Sequence, residues 1–162
     1  MNRLPITVVI GLGNPFRGDD AVGRVIARRL QELALPDVDV REESGEGVAL
    51  MEAWRDAMGV ILIDAVQSGA APGTIHRLDV SRGPVASRFF PSSTHAFSVA
   101  GAVELARTLN QLPARVVLYG IEGRSFGAGE PLSPEVAGAV DEVLKGVCGE
   151  LGGVTVLSAS KC

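Results

Sequence analysis

Ile6-Thr7-Val8-Val9-Ile10, followed at once by Gly11-Leu12-Gly13-Asn14-Pro15-Phe16-Arg17-Gly18-Asp19-Asp20, decides the fold. A short β-branched run without polar alternation is the mark of a strand buried on both faces, as in a parallel sheet covered by helices. The glycine-rich loop leads into Val22, Val25, Ile26, Leu30 and Leu33 at helical spacing, with Pro36 at the stop. The same unit then repeats along the chain. Val38 to Glu43 reads as a second strand and Val48 to Trp54 as a short helix. Val60-Ile61-Leu62-Ile63 is a third strand, ended by Asp64. Pro72-Gly73 turns the chain into a weaker strand, Thr74 to Val80, expected to be antiparallel and at an edge. Residues 81–94 read as an irregular loop and Ala96 to Leu109 as a helix, before the strand Val116-Val117-Leu118-Tyr119. Ser133-Pro134-Glu135 opens the last helix, with Ser as N-cap, Pro at the first position and a carboxylate near the positive end.

The order β-α-β-α-β-β-α-β-α implies a three-layer α/β/α domain with a mostly parallel sheet. It is expected to occupy residues 1–155, with 156–162 as a C-terminal tail. Hydrophobic residues form 46% of the 162, enough for a core and too many for disorder. The net charge of −4 and the 4% aromatic content argue against a nucleic-acid partner, which would want a basic face and stacking platforms. No apolar run approaches the roughly 18 residues of a membrane span. The N-terminal residues do not read as a signal peptide, so the expected location is the cytoplasm. Cys148 and Cys162 are too few for a disulfide framework or a zinc site; Cys148 falls on the apolar stripe of the last helix.

Ligands of such sheets bind beyond the carboxyl ends of the strands, and three stretches there carry chemistry. In the first loop, Gly11 and Gly13 suggest a dinucleotide fingerprint, with Glu42 or Glu43 to hold a ribose. The third glycine is replaced by Phe16, however, and Asp19 and Asp20 would repel a pyrophosphate. No Gly-Lys-Ser/Thr motif occurs. Acidic residues in a first helical turn often serve as caps, and that role suits Asp19, where Asn should then serve equally well. Asp64 closes a buried apolar strand, where a carboxylate must be hydrogen-bonded, paired, or bound to a metal; a loop cap is the plain alternative. His95, after Ser92-Ser93-Thr94, falls in a first helical turn if Ser93 or Thr94 is the cap. The helix dipole there favours the neutral, metal-binding imidazole. His76, in the weak strand, is given no role. Two carboxylates and an imidazole form an open N/O set that suits nickel, zinc or iron. No nucleophile–base triad is evident.

These residues resemble the endopeptidases that mature nickel–iron hydrogenases. The likeness runs through Gly11-Leu12-Gly13-Asn14, Asp19-Asp20, Gly23, Ile63-Asp64-Ala65, Pro72-Gly73-Thr74, Thr94-His95, Gly120-Ile121-Glu122 and Leu132-Ser133-Pro134-Glu135, in order along nearly the whole chain. It implies a five-stranded twisted sheet of the phosphorylase/hydrolase-like kind. It also implies a peptidase, of a family classed as aspartic-type, that removes a C-terminal peptide from the hydrogenase large-subunit precursor after nickel insertion. The family's metal-binding positions fall on Asp20, Asp64 and His95, and its catalytic carboxylates on Asp20 and Asp64. Nickel would be carried by the substrate and held only weakly by the enzyme.

Where relatives often carry Gly-Gly-Thr after the second strand, this chain has Ser44-Gly45-Glu46-Gly47, placing an extra carboxylate near the cleft. Peptidyl-tRNA hydrolases resemble the opening Gly-Leu-Gly-Asn-Pro, but they continue with an Arg-His-Asn segment where this chain has Arg17-Gly18-Asp19-Asp20. Acidity where tRNA would need a basic surface also counts against them. The remaining alternative of a different class is a non-enzymatic nucleotide-binding or regulatory module.

Overall fold

The computed structural model describes residues 7–85 and 99–152. Five strands form one sheet: β1 (Thr7–Leu12), β2 (Val38–Glu43), β3 (Gly59–Val66), β4 (Ile75–Asp79) and β5 (Arg115–Glu122), in the order β2-β1-β3-β5-β4. The first four in that order run parallel, while β4 pairs antiparallel with β5 at the edge. Every residue of the central strand β3 is buried, whereas β4 is partly exposed along its length. That contrast is why one reads as a continuous apolar run and the other as a weak, mixed one.

Four helices cover the sheet: α1 (Val22–Glu32), α2 (Gly47–Ala53), α3 (Val99–Thr108) and α4 (Pro134–Glu150). Alternation along the strands divides the core in two. Val9, Ile61, Ile63, Val117 and Ile121 meet the apolar stripes of α1 and α4. Val8, Ile10, Leu62 and Leu118 meet α2 and α3, with Trp54 wedged at the end of α2. Cys148 packs half-buried on the first of these faces and is not a free thiol. No helix among the described residues is long and apolar enough to cross a membrane. The start of the third helix before Val99, the 155/156 boundary, the tail and Cys162 lie outside the described residues.

Two boundaries differ from expectation. Asp64 does not end β3, which runs on to Val66, and β5 extends to Glu122. The two strands supply each other's extra rungs, Asp64 opposite Gly120 and Val66 opposite Glu122, after β1 has left the ladder at Gly11 opposite Ile63. Asp64 therefore lies just past the last β1 rung, where the sheet has lost one neighbour but not the other.

The first turn of α1 is pressed onto that end of the sheet through Gly23. A Cβ there would lie 2.2 Å from the Ile63 carbonyl oxygen and 2.6 Å from that of Leu12. Neither strand can yield, since both are central. Gly23→Ala should therefore lift α1 and cost about 3 kcal/mol of stability, seen as a lower midpoint in chemical denaturation.

Candidate active site

The loop after β1 carries the site's first carboxylate. Gly13 adopts φ +119°, open to glycine, and an added Cβ would lie 1.9 Å from the Asp20 carbonyl oxygen. The loop thus folds flat against the short 3-10 turn Gly18–Ala21 that bears Asp19 and Asp20. The Asn14 N–H donates to Asp20 Oδ2 at 2.9 Å, and Arg24 Nε donates to the Gly13 carbonyl at 2.7 Å. The loop N–H that a phosphate would need is already taken by a carboxylate, and Glu42 is paired with Arg28 and Arg24. This removes the physical basis for the nucleotide-binding alternative.

Asp19 is not a helix cap. Neither the 3-10 turn nor α1 has a side-chain cap. Instead Asp19 is wholly buried and reaches across to the loop between β5 and α4. Its Oδ2 accepts from the Arg124 N–H (2.8 Å), the Ser125 N–H (2.9 Å) and the Ser133 hydroxyl (2.9 Å), and its Oδ1 accepts from the Ser133 N–H (2.7 Å). Burial alone would raise its pKa, but the hydrogen bonds from Ser133, Ser125 and Arg124 outweigh it and hold the carboxyl below its ordinary range. Ser133 does occupy the N-cap of α4, but its hydroxyl serves Asp19 and not the helix. The expected equivalence of Asn at position 19 thus fails, because an amide would turn an N–H₂ group toward donors. Asp19→Asn should cost roughly 3 kcal/mol, measured as a drop in denaturation midpoint.

Asp64, in the carboxyl half of β3, is buried. Desolvation, and then the charge of Asp20, push its carboxyl up to about 8, and a hydrogen bond from Ala65 N–H only partly offsets them. Asp20 thus lies near enough for its charge to be felt at Asp64. His95 lies outside the described residues. Since the folded pKa of Asp64 lies above its unfolded value, its contribution to stability is fully present below about pH 3.9 and is lost as pH rises through about 8. Asp64→Asn stays neutral throughout. Its melting temperature should gain on the parent protein from pH 4 upward and level off above pH 8, in melts across that range.

A third buried carboxylate, besides Asp19 and Asp64, carries no role in the sequence reading. Glu122, at the end of β5, accepts from the Ser68 N–H and hydroxyl (both 2.8 Å) and the Gly69 N–H (3.0 Å), while His76 Nε2 lies 3.3 Å from its Oε2. It fixes the loop that follows β3. The signal that marked Asp64, an acid closing a buried apolar run, applies equally to Glu122. His76, given no role, is its partner. Glu46 is the side-chain cap of α2, accepting from the Val48 and Ala49 N–H groups, so hydrogen bonds of its own helix hold that carboxylate.

The chain is thus a three-layer α/β domain with Asp20 and Asp64 on the carboxyl side of its sheet. Comparison narrows it to one family. Residues 24–150 match the HycI family model, described as hydrogenase maturation protease. A candidate hydrogenase maturation protease of Methanocaldococcus jannaschii is 31% identical over 150 residues, 89% of this chain and 95% of that protein. The hydrogenase maturating endopeptidase HybD from E. coli superposes with a TM-score of 0.76 at 25% identity, over 90% of this chain and 91% of that one. The [NiFe] hydrogenase maturation protease HycI from Thermococcus kodakarensis does so at 0.69 and 26%, over 91% and 92%. The chain belongs to the hydrogenase maturation protease family, and so to the peptidases among the hydrolases.

Proposed function

We propose that this peptidase removes the C-terminal peptide of a nickel–iron hydrogenase large-subunit precursor in the cytoplasm, and that it recognises nickel already lodged in that precursor. The observation that supports the reading is Asp64, buried past the last β1 rung and raised in pKa by its burial and then by the charge of Asp20, which the Asn14 N–H holds. A buried carboxyl beside a second negative charge resists ionisation, and a cation bound there would relieve both costs. A metal arriving with the substrate would displace the proton from Asp64 and draw both oxygens to itself. His95 is assigned as the third ligand on the family pattern.

In this reading the metal is cargo and not a resident cofactor, and its role is to seat the substrate. Asp20, Asp64 and His95 hold the metal-bearing face, and the C-terminal segment is thereby fixed over the same strand ends. Converting an encounter into a held geometry supplies much of the rate. Either a carboxylate of the pair or a metal-polarised water then assists hydrolysis of the peptide bond. Binding and chemistry share the same residues, so losing one ligand should cost processing out of proportion to stability.

Gel-shift processing of nickel-loaded and nickel-free precursor tests this. The nickel-loaded form should be cleaved, and the nickel-free form and casein should survive. Asp20→Asn should abolish cleavage with little change in melting temperature, and Asp20→Glu should retain part of it. Equal digestion of casein or of nickel-free precursor would make the enzyme a general peptidase and end the proposal.

A further inference from the structure

Phe16 is the most exposed large apolar side chain among the described residues, with 76% of its surface open to water. A lone surface aromatic needs no explanation, but the setting of this one is unusual. It lies on the loop that delivers Asp20, and that loop is fastened at both ends. The Phe16 N–H donates to Asn14 Oδ1 at 2.9 Å, and the same Asn14 offers its own N–H to Asp20. The Phe16 carbonyl accepts from the Gly129 N–H at 2.8 Å, and the Asp19 N–H donates to the Ser125 carbonyl at 2.8 Å. The backbone beneath the ring is therefore pinned to the β5–α4 loop.

That neighbouring loop supplies Ala128, Gly129 and Pro131, exposed and small, and Glu130, whose carboxylate turns back to accept from the Ser125 hydroxyl and the Gly127 N–H. They leave the ring standing above a low rim that a partner can approach closely. A rigid aromatic with two side-chain torsions loses little entropy on contact, which is why such residues serve as binding anchors. From this geometry we infer that Phe16 is a docking anchor for the precursor, inserting into an apolar recess on its folded surface beside the segment to be cleaved. The inference rests on the proposed function and adds a contact that is not the metal. The carboxylates read the cargo, and Phe16 reads the protein that carries it. Because Asn14 ties the Phe16 backbone to Asp20, docking of the ring fixes the distance from the precursor's surface to the carboxylate pair.

Steady-state processing of nickel-loaded precursor by the parent protein, Phe16→Ala and Phe16→Leu, with melts of all three, tests it. Phe16→Ala should raise KM about tenfold or more and leave kcat within about twofold and the melting temperature nearly unchanged, since the side chain supports nothing within the fold. Phe16→Leu should recover most of the loss. An unchanged KM for Phe16→Ala, or a fall in kcat alone, would overturn the docking role while leaving the peptidase reading intact. Failure of the parent protein to process the precursor at all would remove both.

Discussion

A single buried carboxylate holds the working end of this molecule together. Asp19 accepts four hydrogen bonds from three residues of one loop, and that loop connects the last strand to the last helix. Without it, the segment crossing from β1 toward β5 would have only its backbone contacts. With it, the 3-10 turn is fixed above the end of β3, and Asp20 cannot move independently of α4. Hydrogen bonds to an ionised acceptor are among the stronger ones available in a protein interior. Asp19 is thus a structural clamp on the residue beside it in sequence.

The two members of the Asp-Asp pair are treated in opposite ways by the fold. Asp19 is given every donor it needs, and its acidity is strengthened despite burial. Asp64, facing the second member, is left with a raised pKa because desolvation and the Asp20 charge outweigh the Ala65 N–H. One carboxylate is satisfied by the protein, while the Asp20–Asp64 pair remains in electrostatic conflict. Perturbed groups of the second kind are enriched at functional sites.

How much of this was legible in the chain follows from the range of each interaction. The β-branched runs of β1, β3 and β5 announce themselves because burial on both faces is written locally, and the weak pattern from Thr74 to Val80 marks the half-exposed edge strand β4. The continuation of β3 past Asp64 is not local, since it depends on β5 offering Gly120 to Glu122 as partners. The four donors to Asp19 stand 105 to 114 residues away in sequence, so a capping role was the only one its neighbours could suggest. Glu122 could have been found by the rule that found Asp64. That Asp20 and Asp64 fall on the same side of the sheet was legible because the connection after β1 and the carboxyl half of the neighbouring parallel strand β3 lie together there.

The same distinction bears on how a protease of this kind avoids indiscriminate cleavage. Among the described residues, no group of three or more His, Cys, Asp and Glu side chains is arranged to hold a metal. On the proposed reading Asp20, Asp64 and His95 form only part of a coordination sphere, and the precursor supplies the rest together with the ion. An incomplete site gains little from a free cation, because two or three ligands and a buried proton to expel make weak binding. It gains much more from a cation already fixed in a docked protein, since docking raises the effective concentration of the ion at the pair. Selectivity for a loaded precursor then needs no separate sensor. On that reading it would follow from two weak contacts, one electrostatic at Asp20 and Asp64 and one apolar at Phe16, that become strong only when a single partner makes both.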